Sequence, residues 1–270
     1  MDRNTSSRLT LKTLNNTRDL GGMRTKEGAV IRKGLLIRSG HLFFADDEDI
    51  DTLAKINIRN IYDFRSLRER TEKPDPPVGD AVNLHFPIMR DLTEGITREE
   101  KADSQAADMI ILNIKDDPEF GIRYMQDTYV KMVNDNYAVS QYSEFLRSIA
   151  QIRDGAALWH CTAGKDRAGF ASVLLQEILG VDRQDIYNDY LDTNGYIKAE
   201  IEQIIVMLNE KMGLDGADDA VRDFFSAKEE YLEIIYQYVD KNYGGMQNFI
   251  RNAMGIEEEL IQKMRMRFLE

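Results

Sequence analysis

This chain predicts an α/β fold with a mostly parallel central sheet flanked by helices, and three observations support it. Short β-branched or apolar segments alternate with helical ones through the first two thirds of the 270 residues, the pattern of a layered α/β protein. One of these segments, residues 156–160 (AALWH), is a short apolar run of the kind found in strands buried on both faces. Hydrophobic residues make up 43% of the chain and aromatics 9%, enough for a real core and too much for a disordered polymer. The length fits one large domain over residues 1–270. Within it we expect a core at about 16–194 and extra C-terminal helices, about 195–270, packed on that core, because no flexible linker precedes Asp182.

Taken in order, the strand signals are residues 29–37 (AVIRKGLLI), 58–63 (IRNIYD), 82–88 (VNLHFPI) and 156–160. The first two are β-branched with turn or charged residues at their ends, and the third alternates apolar and polar side chains. Asp46 or Asp47 caps a helix reaching about Ile56, with Ile50, Leu53 and Ala54 inward. Residues 73–77 (KPDPP) hold three of the five prolines and read as a rigid loop. The acidic stretch 91–121 reads as loop and short helix. Two adjacent helices follow, at 119–133 and 137–152. A helix over 168–179 ends at Gly180, a plausible C′ glycine, and Asp182 caps another to about Asp192. Beyond Ile197 helix follows helix, interrupted near residues 213–216, 244–245 and 255.

Composition excludes several functions. The formal charge is −12, and from Asp182 onward nineteen acidic residues face ten basic ones. A surface of that sign repels nucleic acid and anionic lipid, so no nucleic-acid partner is expected and any anionic substrate needs a local basic site. One cysteine forms no internal disulfide, and three histidines (His41, His85, His160) give little to build a metal centre from. No apolar run reaches ~18 residues, so no integral membrane association is expected. The polar N-terminus lacks a secretion-type apolar region, which makes a cytoplasmic location the default.

The chemistry concentrates in residues 156–179. An apolar strand runs into His160 and Cys161. A tight loop of Thr162, Ala163, Gly164, Lys165 and Asp166 follows, and Arg167 opens a helix. Backbone N–H groups of such a loop can converge on an anion, and the helix adds its positive end. Gly164 permits a backbone angle that Cβ resists, and Arg167 can grip two phosphate oxygens with its planar fork. Thiols at helix N-termini beside cations ionise readily, which makes Cys161 a nucleophile able to take a phosphoryl group and yield it to water. Loop and arginine supply the charge stabilisation, so no metal or other cofactor is called for. A lone cysteine is ordinarily a small core residue; its spacing to Gly164 and Arg167 after a strand and before a helix argues otherwise. The Gly164-Lys165 pair is not a nucleotide-triphosphate loop, since Asp166 stands where Ser or Thr belongs.

The run His160-Cys161-Thr-Ala-Gly-Lys-Asp-Arg167 matches the HCxxGxxR signature of cysteine-dependent protein tyrosine phosphatases. Its Gly-Lys-Asp-Arg form resembles the bacterial branch with broad, lipid-tolerant specificity. Residues 16–22 (NTRDLGG), 36–40 (LIRSG), 63–66 (DFRS) with Glu69, and 189–191 (DYL) with Asn194 resemble further boxes of that family. The resemblance covers about 16–194. It implies a phosphatase fold and activity on a phosphorylated protein or phosphoinositide, with phosphotyrosine-type esters first and phosphoserine or phosphothreonine possible substrates. It also points to Asp166 as the general acid. One departure is Ala168, where most members carry a hydroxyl that stabilises the departing thiolate. That leaves a catalytically weak phosphate-binding module as the alternative function.

Other residues have two readings. Asp63 is the alternative acid, since it ends a parallel strand and sites in α/β sheets lie at carboxyl ends; its plain reading is a turn or cap. Asp91 is a weaker third. Lys165 inside the loop suits a substrate with extra phosphates, while His160 reads as a structural support for the loop backbone. Arg18, Asp19, Gly21 and Gly22 read as a structural turn.

Overall fold

The computed structural model describes residues 4–90, 103–214 and 216–270, with side chains from residue 108 in the second stretch. Six strands form one sheet: β1 (Ser7–Arg8), β2 (Arg18–Asp19), β3 (Leu36–Ser39), β4 (Ile58–Asp63), β5 (Val82–His85) and β6 (Ala156–His160). Their order is β1-β2-β3-β6-β4-β5. The first two pairings are antiparallel, and β3, β6, β4 and β5 run parallel.

Strand β6 lies at the centre, every residue buried. Successive side chains point to opposite faces of a strand. Ala156 and Leu158 join Ile37, Leu53 and Ile61 in one core under α1 (Asp47–Lys55). Ala157 and Trp159 join Leu36 and Tyr62 in the larger core on the other face. That core is built from α4 (Pro118–Asn134), α5 (Asn136–Gln151), α6 (Arg167–Leu179) and the C-terminal helices. All thirteen residues of α6 are buried, as expected of a helix apolar nearly all round. Gly180 ends it at φ 86°, a left-handed C-terminus that glycine adopts without strain.

Two expected elements differ. The strand expected over 29–37 is broken by a turn at Gly34, φ 74°, whose N–H donates to Asp19 Oδ2 at 2.6 Å. Only its end survives in β3, while Val30 and Ile31 make isolated bridges to Arg24 and Leu269. The helix expected to stop near Asp192 instead continues as α7 (Arg183–Met212). Ile197, Ile201, Ile205 and Leu208 keep one face buried, and Gly195 lies where even a Cβ would meet nothing within 4 Å. An isolated glycine costs about 1 kcal/mol in a helix, less than this buried stripe supplies.

Helix α2 (Leu67–Glu72) carries a capping box between Ser66 and Glu69. Asp91 and the start of the acidic stretch lie outside the described residues; the stretch continues as α3 (Asp103–Asp116), which packs on α4 and on α8 (Asp218–Phe225). Helices α9 (Glu229–Tyr243), α10 (Met246–Asn248) and α11 (Glu258–Phe268) follow, α9 packing on α4 and α11 on α5 and α6. No helix among the described residues is long and apolar enough to cross a membrane.

Candidate active site

The parallel strands β3, β4 and β6 end together: Ser39 and Asp63 both lie beside His160 in register. The 161–166 loop therefore leaves the sheet at its carboxyl edge, where α/β proteins gather ligands. The chain turns at Gly164, φ 70°, and a Cβ there would lie 2.6 Å from the Ser39 carbonyl oxygen.

The loop's carbonyls are held from outside, one after another. His41 N–H donates to Thr162 O at 3.0 Å, and Asn16 Nδ2 to Ala163 O at 2.8 Å. Arg38 reaches both Gly164 O, from Nε at 2.9 Å, and Lys165 O, from Nη2 at 3.1 Å. Peptide planes oppose C=O and N–H, so fixing the carbonyls of 162–165 from one side turns the amides that follow them to the other, the inner side of the loop. Among the described residues no acceptor takes the amides of 162–166, and Asp166 makes no side-chain cap on α6. The start of that helix is thus open to an anion.

Arg167 is aimed by Glu69. Its Nη1 donates to Oε2 at 2.7 Å and its Nη2 to Oε1 at 2.8 Å, a buried two-point pair. Burial disfavours the charge on Arg167, but Glu69 outweighs it and raises its pKa above the ordinary guanidinium value. The cation is permanent; Nη2 also reaches Thr162 Oγ1 at 3.5 Å, and the N–H groups not so engaged can meet phosphate oxygens. Cys161 is buried at the base of this arrangement.

Residues 9–270 match the tyrosine phosphatase family. The chain belongs to that family. It is 28% identical over 268 residues to the triple specificity protein phosphatase PtpB of Mycobacterium tuberculosis, covering 93% of this chain and 95% of the relative. A protein of Cupriavidus necator is 28% identical over 250 residues, covering 92% and 85%. A tyrosine-protein phosphatase of Nostoc commune is 24% identical over 233 residues, covering 86% and 73%. The chain is a protein tyrosine phosphatase-like enzyme.

In this phosphatase Asp63 lies in a buried ion-pair network. Arg65 forks onto it, Nε to Oδ1 at 2.9 Å and Nη2 to Oδ2 at 2.8 Å. Burial pushes Asp63 up, but His160 and Arg65 outweigh it and hold it below the ordinary carboxylate value. Both carboxylate oxygens of Asp63 are thus engaged by Arg65, a geometry that gives no support to its reading as an alternative acid. Arg65 also reaches Asp75 at 2.6 Å, and His160 Nε2 lies 3.2 Å from Asp75. Asp63, Asp75 and His160 are close enough to share an ion, yet the guanidinium already sits between the two carboxylates. His160 Nδ1 faces Cys161 O at 3.2 Å. Burial opposes its charge, while Asp75 and Asp63 outweigh that and raise its pKa.

Lys165 also differs from expectation. Its Nζ lies 3.2 and 3.3 Å from the carbonyls of Phe224 and Ser226 at the end of α8. The ammonium is engaged by protein, and what Lys165 brings to the loop is its backbone amide. Thr162 does not replace the hydroxyl missing at Ala168, for its Oγ1 donates to Glu69 Oε1 at 2.7 Å. Asp166 is partly exposed and accepts from Tyr129 OH at 2.6 Å.

Glu69, Arg38, Asn16 and Asp75 were given no role from sequence. For Glu69 a local signal existed, the Ser66-x-x-Glu69 capping box before α2. Arg38 and Asn16 act across more than 120 positions of chain, where no spacing rule reaches. A groove of about 680 Å³ opens beside Thr162 and Ala163, walled by Leu14, Phe44, Ile204, Met207 and Phe225.

Proposed function

We propose that this phosphatase hydrolyses phosphate monoesters without a metal, through a phosphocysteine on Cys161. The observation that carries the reading is the loop after that thiol, whose carbonyls at 162–165 are each held by a donor from another segment while, among the described residues, its own amides have no acceptor. The amides of Thr162, Ala163, Gly164, Lys165 and Asp166, with Arg167, cradle the phosphoryl oxygens and stabilise the charge that builds on them. The Cys161 thiolate attacks phosphorus: an S–P bond forms, the P–O bond to the leaving group breaks, and Asp166 passes its proton to that oxygen. Water then attacks the phosphocysteine. The S–P bond breaks, one water proton returns to Asp166, and inorganic phosphate leaves.

The substrates are phosphotyrosine-type esters, with phosphoserine, phosphothreonine and phosphoinositides as the wider range. The apolar groove beside the loop supports an aromatic or otherwise apolar leaving group. The triple specificity in the name of the mycobacterial relative supports the breadth.

The test is p-nitrophenyl phosphate turnover in EDTA, with vanadate binding measured alongside. Cys161→Ser is expected to lose turnover and keep vanadate, because serine leaves the cradle intact but is a poor nucleophile. Arg167→Lys is expected to lose about 10²–10³ in rate, the usual worth of one aimed donor. Undiminished turnover by Cys161→Ser, or loss of wild-type turnover in EDTA, overturns the proposal.

A further inference from the structure

Behind Asp166 lies a set of tyrosines that the scheme above does not use. Tyr129, on α4, is buried and its OH donates to Asp166 Oδ1 at 2.6 Å. Tyr190, on α7, is buried too, its OH 2.7 Å from that of Tyr129. Both phenols are held far above their ordinary ionisation range, chiefly by burial and next by the charge of Asp166, so both keep their protons. Each phenol has one proton to give. If Tyr129 gives its proton to Asp166, its oxygen can only accept from Tyr190. The order Tyr190 to Tyr129 to Asp166 is then fixed in direction. Lys165 Nζ approaches the same oxygen, Oδ1, at 3.4 Å, and is itself held by two carbonyls. Among the described residues no hydrogen bond falls on Oδ2.

We propose that Tyr129 is a positioning residue: oriented by Tyr190, its phenol occupies Oδ1 of Asp166 and reserves Oδ2 for the proton that goes to the leaving group. In the acid form a carboxyl carries its proton on one oxygen. With a phenol O–H pointing at Oδ1, that proton belongs on Oδ2, and the ring plane is fixed at the same time. The inference rests on Asp166 being the general acid.

The discriminating readout is how kcat/KM depends on the leaving group. Dinitrophenolate departs without help, whereas phenolate needs a proton. In Asp166→Asn the ratio of kcat/KM for dinitrophenyl phosphate over phenyl phosphate should rise by about 10²–10⁴, the span of general acid catalysis. In Tyr129→Phe the same ratio should rise about tenfold, the scale of one hydrogen bond to a charged group. Tyr190→Phe, which removes only the orienting donor, should raise it less. Vanadate affinity, which reads the cradle and not the acid, should stay within twofold of wild type in the phenylalanine variants. A raised ratio in Asp166→Asn with an unchanged ratio in both phenylalanine variants overturns the role of Tyr129 and leaves Asp166 as the acid. An unchanged ratio in Asp166→Asn removes the acid reading and this proposal with it.

Discussion

Gly164 shows how much one residue carries. Its φ of 70° is left-handed, and a Cβ would meet the Ser39 carbonyl oxygen at 2.6 Å and its carbon at 2.7 Å. Both are backbone atoms of a buried strand, so neither can move aside. Gly164→Ala should therefore displace the loop and abolish vanadate binding while the sheet still folds; circular dichroism and vanadate titration check this, and normal vanadate affinity would contradict it. The partners of the loop divide by how local they are. Cys161, Gly164 and Arg167 stand within seven consecutive residues, and their spacing after a strand was legible. Arg38 and Tyr129 come from other elements, so no local pattern could assign them, and for Glu69 the capping box marks a helix start but not its hold on Arg167. The carbonyl partners of Lys165 are equally non-local, lying some sixty residues onward.

At the scale of elements, α2 is only six residues long yet holds the arginine. The Ser66 side chain accepts from the Glu69 N–H at 3.2 Å, and Glu69 Oε2 accepts from the Ser66 N–H at 2.7 Å. The carboxylate that grips Arg167 is thus tied to the start of its own helix. Ser66→Ala should cost about 1 kcal/mol through the lost cap and should also weaken vanadate binding, because Glu69 loses half its tether. Denaturation and vanadate titration on the same sample check both. A stability loss with unaltered vanadate affinity would mean that α2 supports the fold and not the site. The sequence LRERTE has no apolar period, which is why α2 escaped notice, and the two-residue strands β1 and β2 are too short for any period. Strands β4 and β6 were legible to the residue, β4 from its β-branched and aromatic residues between turn or charged ends and β6 as a short apolar run.

Over the whole molecule the end of the chain is tied back to its N-terminal third. Val30 and Glu270 exchange N–H···O bonds, and Arg32 N–H donates to Phe268 O, so the last helix is anchored to the segment leading into β3. Sequence gave the helical character of this region but not these pairings, which depend on the tertiary path. The buried Asp63, Arg65, Asp75 and His160 network gives stability a defined pH dependence. Burial raises Asp75, but His160 and Arg65 outweigh it and hold it at about 2 against an ordinary 3.8, a difference equivalent to about 2 kcal/mol. That contribution is complete above pH 3.8 and lost as the pH falls toward 2. His160 has the opposite sign: its pKa is raised above 6.5, so its contribution is complete below pH 6.5 and lost as the pH rises through the folded value. The network should stabilise most between about pH 4 and 6.5. Urea denaturation followed from below pH 4 to above pH 6.5 should show Asp75→Asn losing most within that window, with a shallower acid limb than wild type. An unchanged acid limb would mean that Asp75 does not carry it.

The central claim is that Cys161 takes the phosphoryl group. Mixing the enzyme with p-nitrophenyl phosphate, quenching within the first turnover and measuring the mass of the peptide that holds Cys161 tests it directly. The account predicts one added phosphoryl group on that cysteine, formed as the first nitrophenolate is released and gone when substrate is exhausted. Turnover with no phosphoryl group on Cys161 at any quench time, or with the group on another residue, would contradict it.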